Sequence, residues 1–121
     1  FFQEFRKSGI QRTGKEIAVY WNSPMLVEPN DLRFDIGYPV APGQRGAGKM
    51  IVKFFNYTRV ASTIHRGSYL TTFQTTNLLY RWIARQNLHI VGGPCVEKYL
   101  DDEPDRVPDE QKQTEIFVPI E

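Results

Sequence analysis

The sequence has 121 residues and a mass of 14.1 kDa, which is the size of one domain. A formal net charge of +1 gives no basic excess, so we expect no direct contact with nucleic acid. The single cysteine, Cys95, excludes an internal disulfide and favours a reducing, cytoplasmic location. No apolar run approaches the roughly 20 residues of a membrane helix, so no membrane partner is expected.

The chain opens with residues typical of a helix interior. The segment Phe1–Arg6 leads to Gly9, a residue that tolerates the left-handed cap at a helix end. Ile17–Tyr20 and Asp35–Val40 then have the character of strands. Because the first helix is already under way at Phe1, we predict that a strand and part of this helix, roughly 25 residues, precede it.

A glycine-rich loop follows the first two predicted strands. Residues 43–49 satisfy the phosphate-loop pattern G-x-x-x-x-G-K, but Met50 stands where a magnesium-binding Ser or Thr is needed. The next segment, Met50–Phe55, reads as a strand rather than as the helix that would hold phosphate. We therefore interpret the loop as a flexible connector and expect no nucleotide or other cofactor.

The second half of the chain begins with a predicted strand over Asn56–His65. Ser68 is predicted as the N-cap of a helix over Tyr69–Gln86, with Leu79, Trp82 and Ile83 on one face. Asn87 follows this helix and, like Gly9, tolerates the left-handed cap position. Cys95–Tyr99 is again typical of a strand. Residues 101–110 are acidic and interrupted by proline, which indicates a solvated loop.

Two parts of the chain repeat the same order of signals. Gly14 and Gly92 stand 78 positions apart, and Pro39 and Pro119 stand 80 apart, each within similar flanking residues. This spacing indicates a duplicated strand–helix–strand–strand unit, with copies over about residues 1–40 and 56–121 of one domain. The predicted fold is α+β, with antiparallel sheets backed by two helices and a ligand cleft where the copies meet.

Several motifs resemble the GyrI-like family, which has an SHS2-type fold. They are the helix entry Val60–Tyr69, the strand Gly92–Leu100, the closing strand Thr114–Ile120, and the first-half strands Ile17–Tyr20 and Phe34–Val40. Ser68 replaces the proline usual in the first of these motifs. The family includes effector-binding domains of MerR-type and AraC-type multidrug transcription regulators, a DNA gyrase inhibitor, and hydrolases that open cyclopropane rings.

The resemblance implies a ligand site around Glu97. In the regulators, a glutamate at the matching position meets the positive charge of a lipophilic drug, and aromatic residues stack on the drug. The aromatic candidates in this chain are Tyr20, Trp21, Tyr38, Tyr69, Phe73, Trp82 and Tyr99. From the residues alone, Glu97 can equally be an exposed strand glutamate paired with Lys98 or Arg81, and the aromatics can be core residues.

Three functions remain open at this point. The first is a module that senses or sequesters a small hydrophobic or cationic molecule, with a homodimer or a fused DNA-binding domain as the partner to be tested. The second is a cyclopropane-type hydrolase, with Glu97 activating water and a second acid among Glu16, Asp35 and Glu115. The third is a gyrase-binding inhibitor. We expect no metal site, because His65, His89 and Cys95 lack ligand spacing.

Overall fold

The computed structural model describes residues 2–23, 26–92 and 94–121. Within these ranges the fold is α+β, as predicted, with one five-stranded antiparallel sheet of strand order β2-β1-β4-β5-β3 and a helix packed against it. The elements are α1 (Phe2–Ser8), β1 (Ile17–Tyr20), β2 (Phe34–Gly37), β3 (Val60–Arg66), α2 (Thr72–Arg85), β4 (Cys95–Tyr99) and β5 (Gln113–Pro119).

The main core lies between α2 and the half of the sheet formed by β3 and β5. Leu79 and Ile83 of α2 are buried against Ile116 and Val118 of β5. Trp82 is 48% exposed, so the prediction that it shares their buried face is wrong. Successive helical residues are 100° apart, and this angle turns Trp82 away from the sheet when Ile83 faces it.

Hydrogen bonds fix the start of α2 against β3. The side chain of Ser68 accepts a hydrogen bond from the Leu70 N–H, which confirms Ser68 as the N-cap, although the helix begins with a 3-10 turn over Tyr69–Thr71. His65 is buried, and its Nδ1 lies 2.6 Å from Thr75 Oγ1. The helix therefore enters the fold at one defined position relative to the sheet.

Both helices end as their sequences predict. Gly9 has a φ of +75° and Asn87 a φ of +55°, which are left-handed conformations. Glycine and asparagine accept this conformation most easily, so they stop the helices and turn the chain toward β1 and β4.

Two predicted segments differ in the structure. Met50–Phe55 is irregular rather than a strand, and β3 begins at Val60 rather than at Asn56. Instead of pairing with a strand, the first segment is held by side chains: Lys53 forms an ion pair with Asp35, and Phe55 stacks on Trp21 with 6.0 Å between ring centroids. The segment is therefore positioned by side-chain contacts and not by the backbone hydrogen bonds that a strand makes with its neighbour.

The two central strands mark the junction of the two halves of the sheet. β1 pairs with β2 on one side, β4 pairs with β5 on the other, and β1 and β4 pair with each other. Ala18 lies directly opposite Glu97 in this central pair. The junction where sequence analysis places a ligand cleft is therefore the position of Glu97.

Candidate functional site

Glu97 lies on the sheet face that carries α2. Its cross-strand neighbours are Ala18 and Ile116, and Ile116 belongs to the core under α2. Paired residues of neighbouring strands point to the same face, so the Glu97 side chain does as well. Only 8% of Glu97 is exposed, which contradicts its interpretation as an exposed strand glutamate.

Two tyrosine hydroxyl groups surround this carboxylate. Tyr99 donates a hydrogen bond of 2.9 Å to Glu97 Oε1, and the hydroxyl groups of Tyr99 and Tyr20 interact with each other. Burial raises the pKa of Tyr99 far above its usual range, and the nearby negative charge of Glu97 raises it further. The pKa of Tyr20 is raised for the same two reasons. Both phenols therefore remain protonated donors at neutral pH.

No ion pair with Glu97 occurs among the residues that the structure describes. Lys98, the next residue in β4, is paired across the sheet with Ile17 and Glu115 and points to the opposite face. The arrangement places a mostly buried carboxylate next to neutral phenols. A buried charge of this kind is costly without a partner of opposite charge.

An open cleft of about 560 Å³ adjoins Tyr99. We call it the tyrosine cleft, because Tyr38, Tyr69 and Tyr99 line it together with Phe5. The rings of Tyr69 and Tyr99 are tilted against each other with 5.0 Å between centroids. Tyr38 contacts Phe5 with a centroid distance of 4.6 Å. Aromatic side chains on several sides of a cleft can hold a planar apolar molecule.

Positively and negatively charged side chains lie at the rim of the tyrosine cleft. Lys15 and Asp102 form an ion pair on this rim, and Arg12 lies 5.2 Å from the Tyr38 ring centroid. Glu16 also lines the cleft, and its pKa is raised because it is partly buried, with Arg12 acting in the opposite direction. The lining of the tyrosine cleft is therefore aromatic and also charged, with residues of both signs.

Three of the predicted aromatic site residues lie elsewhere. Trp21 donates a hydrogen bond of 2.8 Å from Nε1 to Asp35 Oδ2, and Asp35 points away from Glu97 on the opposite sheet face. Phe73 and Trp82 lie on α2 with nearly half of each residue exposed, and neither lines the tyrosine cleft. The structure thus brings Tyr20, Tyr38, Tyr69 and Tyr99 to one side of the sheet with Glu97.

The three candidate second acids also lie on different faces of the sheet. The Glu16 C=O accepts a hydrogen bond from the Tyr99 N–H at 3.0 Å, so Glu16 lies at the Glu97 side of the sheet. Glu115 and Asp35 belong to the opposite face. Asp35 is also paired with Lys53, whose hydrogen bond holds the pKa of Asp35 below its usual range.

Asp101 is a site residue that sequence analysis missed. Its Oδ2 accepts hydrogen bonds from the Tyr69 hydroxyl at 2.7 Å and from the Gln113 N–H at 2.9 Å. Together with burial, this contact raises the pKa of Tyr69 far above its usual range. Asp101 appeared to be one of several acidic loop residues. Its place two residues after Tyr99, where β4 ends, is the signal that separates it from the rest of that loop.

A second cleft, of about 810 Å³, lies beside β2. We call it the edge cleft. It extends from β2 to the irregular segment 49–55, and its lining is largely apolar, with Asp35, Lys49, Lys53 and Glu4 as its charged residues.

In the described part of the chain, no group of three or more His, Cys, Asp or Glu side chains is arranged to hold a metal ion. None of its helices is long and apolar enough to cross a membrane.

Comparison with known proteins gives one family. Residues 1–121, the whole chain, match the family described as GyrI-like small molecule binding domain. A search of curated proteins finds no significant match. Among solved structures, a hydrolase encoded by lin2189 from Listeria innocua aligns with a TM-score of 0.53 at 11% sequence identity, covering 97% of this chain and 72% of that protein. At this identity the likeness extends to the fold alone.

Proposed function

Because this chain belongs to the GyrI-like small-molecule-binding family, we propose that it binds a planar, hydrophobic molecule carrying one positive charge beside Glu97. The observation that carries the proposal is the burial of Glu97 next to neutral tyrosines, without an ion pair among the described residues. A bound cation supplies the missing charge at this position.

The tyrosines account for the hydrophobic and planar character of the ligand. Tyr20 and Tyr99 flank the carboxylate, and Tyr69 and Tyr38 continue the aromatic lining into the tyrosine cleft. A cation over an aromatic face gains about 0.5–2 kcal/mol, more where water is excluded. A flat aromatic cation uses both this attraction and the apolar faces of the rings, whereas a small hydrated cation uses neither well.

Binding requires the ligand to take over a place next to Glu97 Oε1 that the Tyr99 hydroxyl now occupies. Glu97 does not itself line the tyrosine cleft, but Tyr99 does, so displacement of the Tyr99 hydroxyl would connect the cleft with the carboxylate. The Tyr99 hydroxyl is a neutral donor, and a cationic group in its place adds the opposite charge that the phenol does not supply to the carboxylate. The protein would then act as a sensor or a sequestering module. Neither role requires a chemical reaction of the bound ligand.

A titration with rhodamine 6G, a planar lipophilic cation, tests the proposal. We expect fluorescence changes that report binding by the wild type and at least about tenfold weaker binding by Glu97→Gln, equivalent to about 1.4 kcal/mol. Glu115→Gln is the matched control, because it removes the same charge from the opposite face of the same sheet. Equal affinity of Glu97→Gln and wild type would exclude Glu97 as the counter-charge.

A second candidate function is hydrolysis, and the position of Glu16 favours it. Glu16 lines the tyrosine cleft at the Glu97 side and has a raised pKa, which suits a general acid, while Glu97 would activate water as a base. The Listeria innocua protein of similar fold is described as a hydrolase. Mass spectrometry after incubation with a cyclopropane-containing aromatic compound distinguishes turnover from retention, and turnover should then be lost in both Glu97→Gln and Glu16→Gln.

A further inference from the structure

Arg12 brings a guanidinium group with unused hydrogen-bond donors to the tyrosine cleft. Its side chain lines the cleft and lies over the Tyr38 ring, with 5.2 Å between the Arg12 Cζ and the ring centroid. This contact uses the face of the guanidinium group and leaves the N–H donors in its plane available. Among residues 2–23, 26–92 and 94–121, no ion pair or side-chain hydrogen bond involves Arg12.

The backbone of Arg12 is fixed next to the residues that follow β2. Arg12 and Val40 form an isolated antiparallel bridge, and the Thr13 N–H donates a hydrogen bond of 2.8 Å to the Pro39 C=O. Tyr38 directly precedes Pro39, so these backbone contacts keep the ring and the guanidinium group side by side. A group that is already positioned in this way loses less conformational freedom when it binds a ligand.

Positive charge collects around Tyr38 in the tyrosine cleft. Burial and the negative charge of Glu16 raise the pKa of Tyr38, and the positive charges of Arg12 and Arg6 act against this increase. Both arginines therefore lie close enough to the Tyr38 hydroxyl to act on it, and both line the cleft. In the described part of the chain, neither of them belongs to an ion pair, so their charge can be used by a ligand.

The acidic residues of the same lining limit which anions fit. Glu16, Asp101 and Asp102 line the cleft, where Asp102 is paired with Lys15 and Asp101 accepts the hydrogen bond of the Tyr69 hydroxyl. These carboxylates repel an anion, and the repulsion grows with the charge that the anion carries. A singly charged carboxylate, which a guanidinium group binds through two parallel hydrogen bonds, therefore fits better than a doubly charged phosphate.

We propose that Arg12 binds a carboxylate group of the ligand, so that the molecule held in the tyrosine cleft is an aromatic zwitterion. This inference rests on the proposed function, which places the positive charge of the same molecule beside Glu97. Tyr69 and Tyr38 supply aromatic surface along the cleft for the planar part between the two charges. Arg12 is then a specificity-determining residue, because it separates an acid from an ester with the same ring system.

Two dyes with one ring system test the proposal. Rhodamine 6G is an ethyl ester with one positive charge, and rhodamine 19, the corresponding acid, is a zwitterion at neutral pH. Arg12→Gln should lower the ratio of the affinity for rhodamine 19 to that for rhodamine 6G by about fivefold, which is the size expected for a solvent-exposed ion pair. The matched control is Arg81→Gln, which removes the same charge from the exposed side of α2 and should leave the ratio unchanged.

The affinity for rhodamine 6G separates loss of the fold from loss of the anion contact. Its retention in Arg12→Gln shows that the cleft is intact, since this dye carries no carboxylate. An unchanged ratio in Arg12→Gln, including equal weakening of both dyes, would overturn the proposal and leave Arg12 only as a support for Tyr38.

Benzoate, an aromatic carboxylate without a positive charge, distinguishes failure of this inference from failure of the proposed function. In a benzoate titration, we expect the Nε–H resonance of Arg12 to shift in the wild type and equally in Glu97→Gln. The shift supports the anion contact even if rhodamine 6G binds Glu97→Gln as tightly as the wild type, a result that would refute only the cation site. Absence of the shift would contradict the anion contact whatever the cation site does.

Discussion

Matched positions in the two halves of the sheet experience opposite environments. Ile36 and Ile116 stand 80 positions apart in the repeat, and each follows an acidic residue and stands three positions before a proline. Ile116 is nevertheless fully buried, whereas Ile36 is nearly half exposed. The difference comes from the neighbours: β3 and α2 cover β5, whereas β2 is an edge strand beside an open cleft. Burial in this fold is therefore set by what packs against a strand and not by the strand's own sequence.

The reactivity of two thiols, that of Cys95 in β4 and that of a cysteine introduced at position 36 in β2, should show the largest contrast. Burial raises the pKa of the Cys95 thiol to about 12 from an ordinary value of 9.0. Because only the thiolate reacts, alkylation by iodoacetamide at pH 8 should be about a thousandfold slower than for an unperturbed thiol. A Cys95→Ser variant carrying Ile36→Cys should react at the ordinary rate. Similar rates for both thiols would remove the contrast between the halves.

Truncation of the two matched isoleucines should differ in its effect on stability. Ile116→Ala leaves a cavity under α2 and should lower the free energy of unfolding by about 2–5 kcal/mol. Ile36→Ala removes a side chain that is only partly buried, so a loss of about 1 kcal/mol is expected. Urea unfolding followed by tryptophan fluorescence measures both values. Similar losses in the two variants would contradict the difference in burial between Ile36 and Ile116.

The smallest effect concerns the ion pair beside the open edge. Hydrogen bonds from Lys53 and Trp21 lower the pKa of Asp35 below its usual 3.8. The resulting stabilisation is present above that value and is lost as the pH falls through the lower pKa of the folded state. Since the pair is exposed to solvent, it contributes less than about 1 kcal/mol. The stability difference between wild type and Asp35→Asn should therefore shrink between pH 5 and about pH 3. A constant difference over this range would show that the pair is not formed.

The sequence predicted helix ends and starts most reliably, because local residue preferences decide them. Gly9 and Asn87 end the helices as predicted because few residues accept positive φ values, and Ser68 caps the 3-10 turn that leads into α2 because its side chain can bind a free N–H. The alternation of residues within Cys95–Tyr99 did not reveal the burial of Glu97. That burial depends on strands from both halves of the chain, and only the family resemblance indicated it.

Tertiary contacts also decided which aromatic residues approach Glu97. Tyr20 approaches it because β1 and β4 are neighbours, a pairing between residues far apart in the sequence, whereas Tyr99 follows Glu97 by two residues on the same face of β4. Trp21 differs from Tyr20 by one position and therefore points to the other face. The strand predicted over Met50–Phe55 failed for a similar reason, since a suitable composition does not supply a partner ladder.

The pairing of Ala18 with Glu97 at the junction of the two halves determines how many ionisable side chains this position of the sheet holds. A symmetrical junction would place two like side chains against each other, and two buried carboxylates at that distance would repel and suppress ionisation of one of them. Alanine in one copy leaves a single ionisable side chain in this central pair. The predicted duplication is therefore asymmetric at its centre, and under the proposed function a ligand that carries one positive charge would meet a single anchor for it.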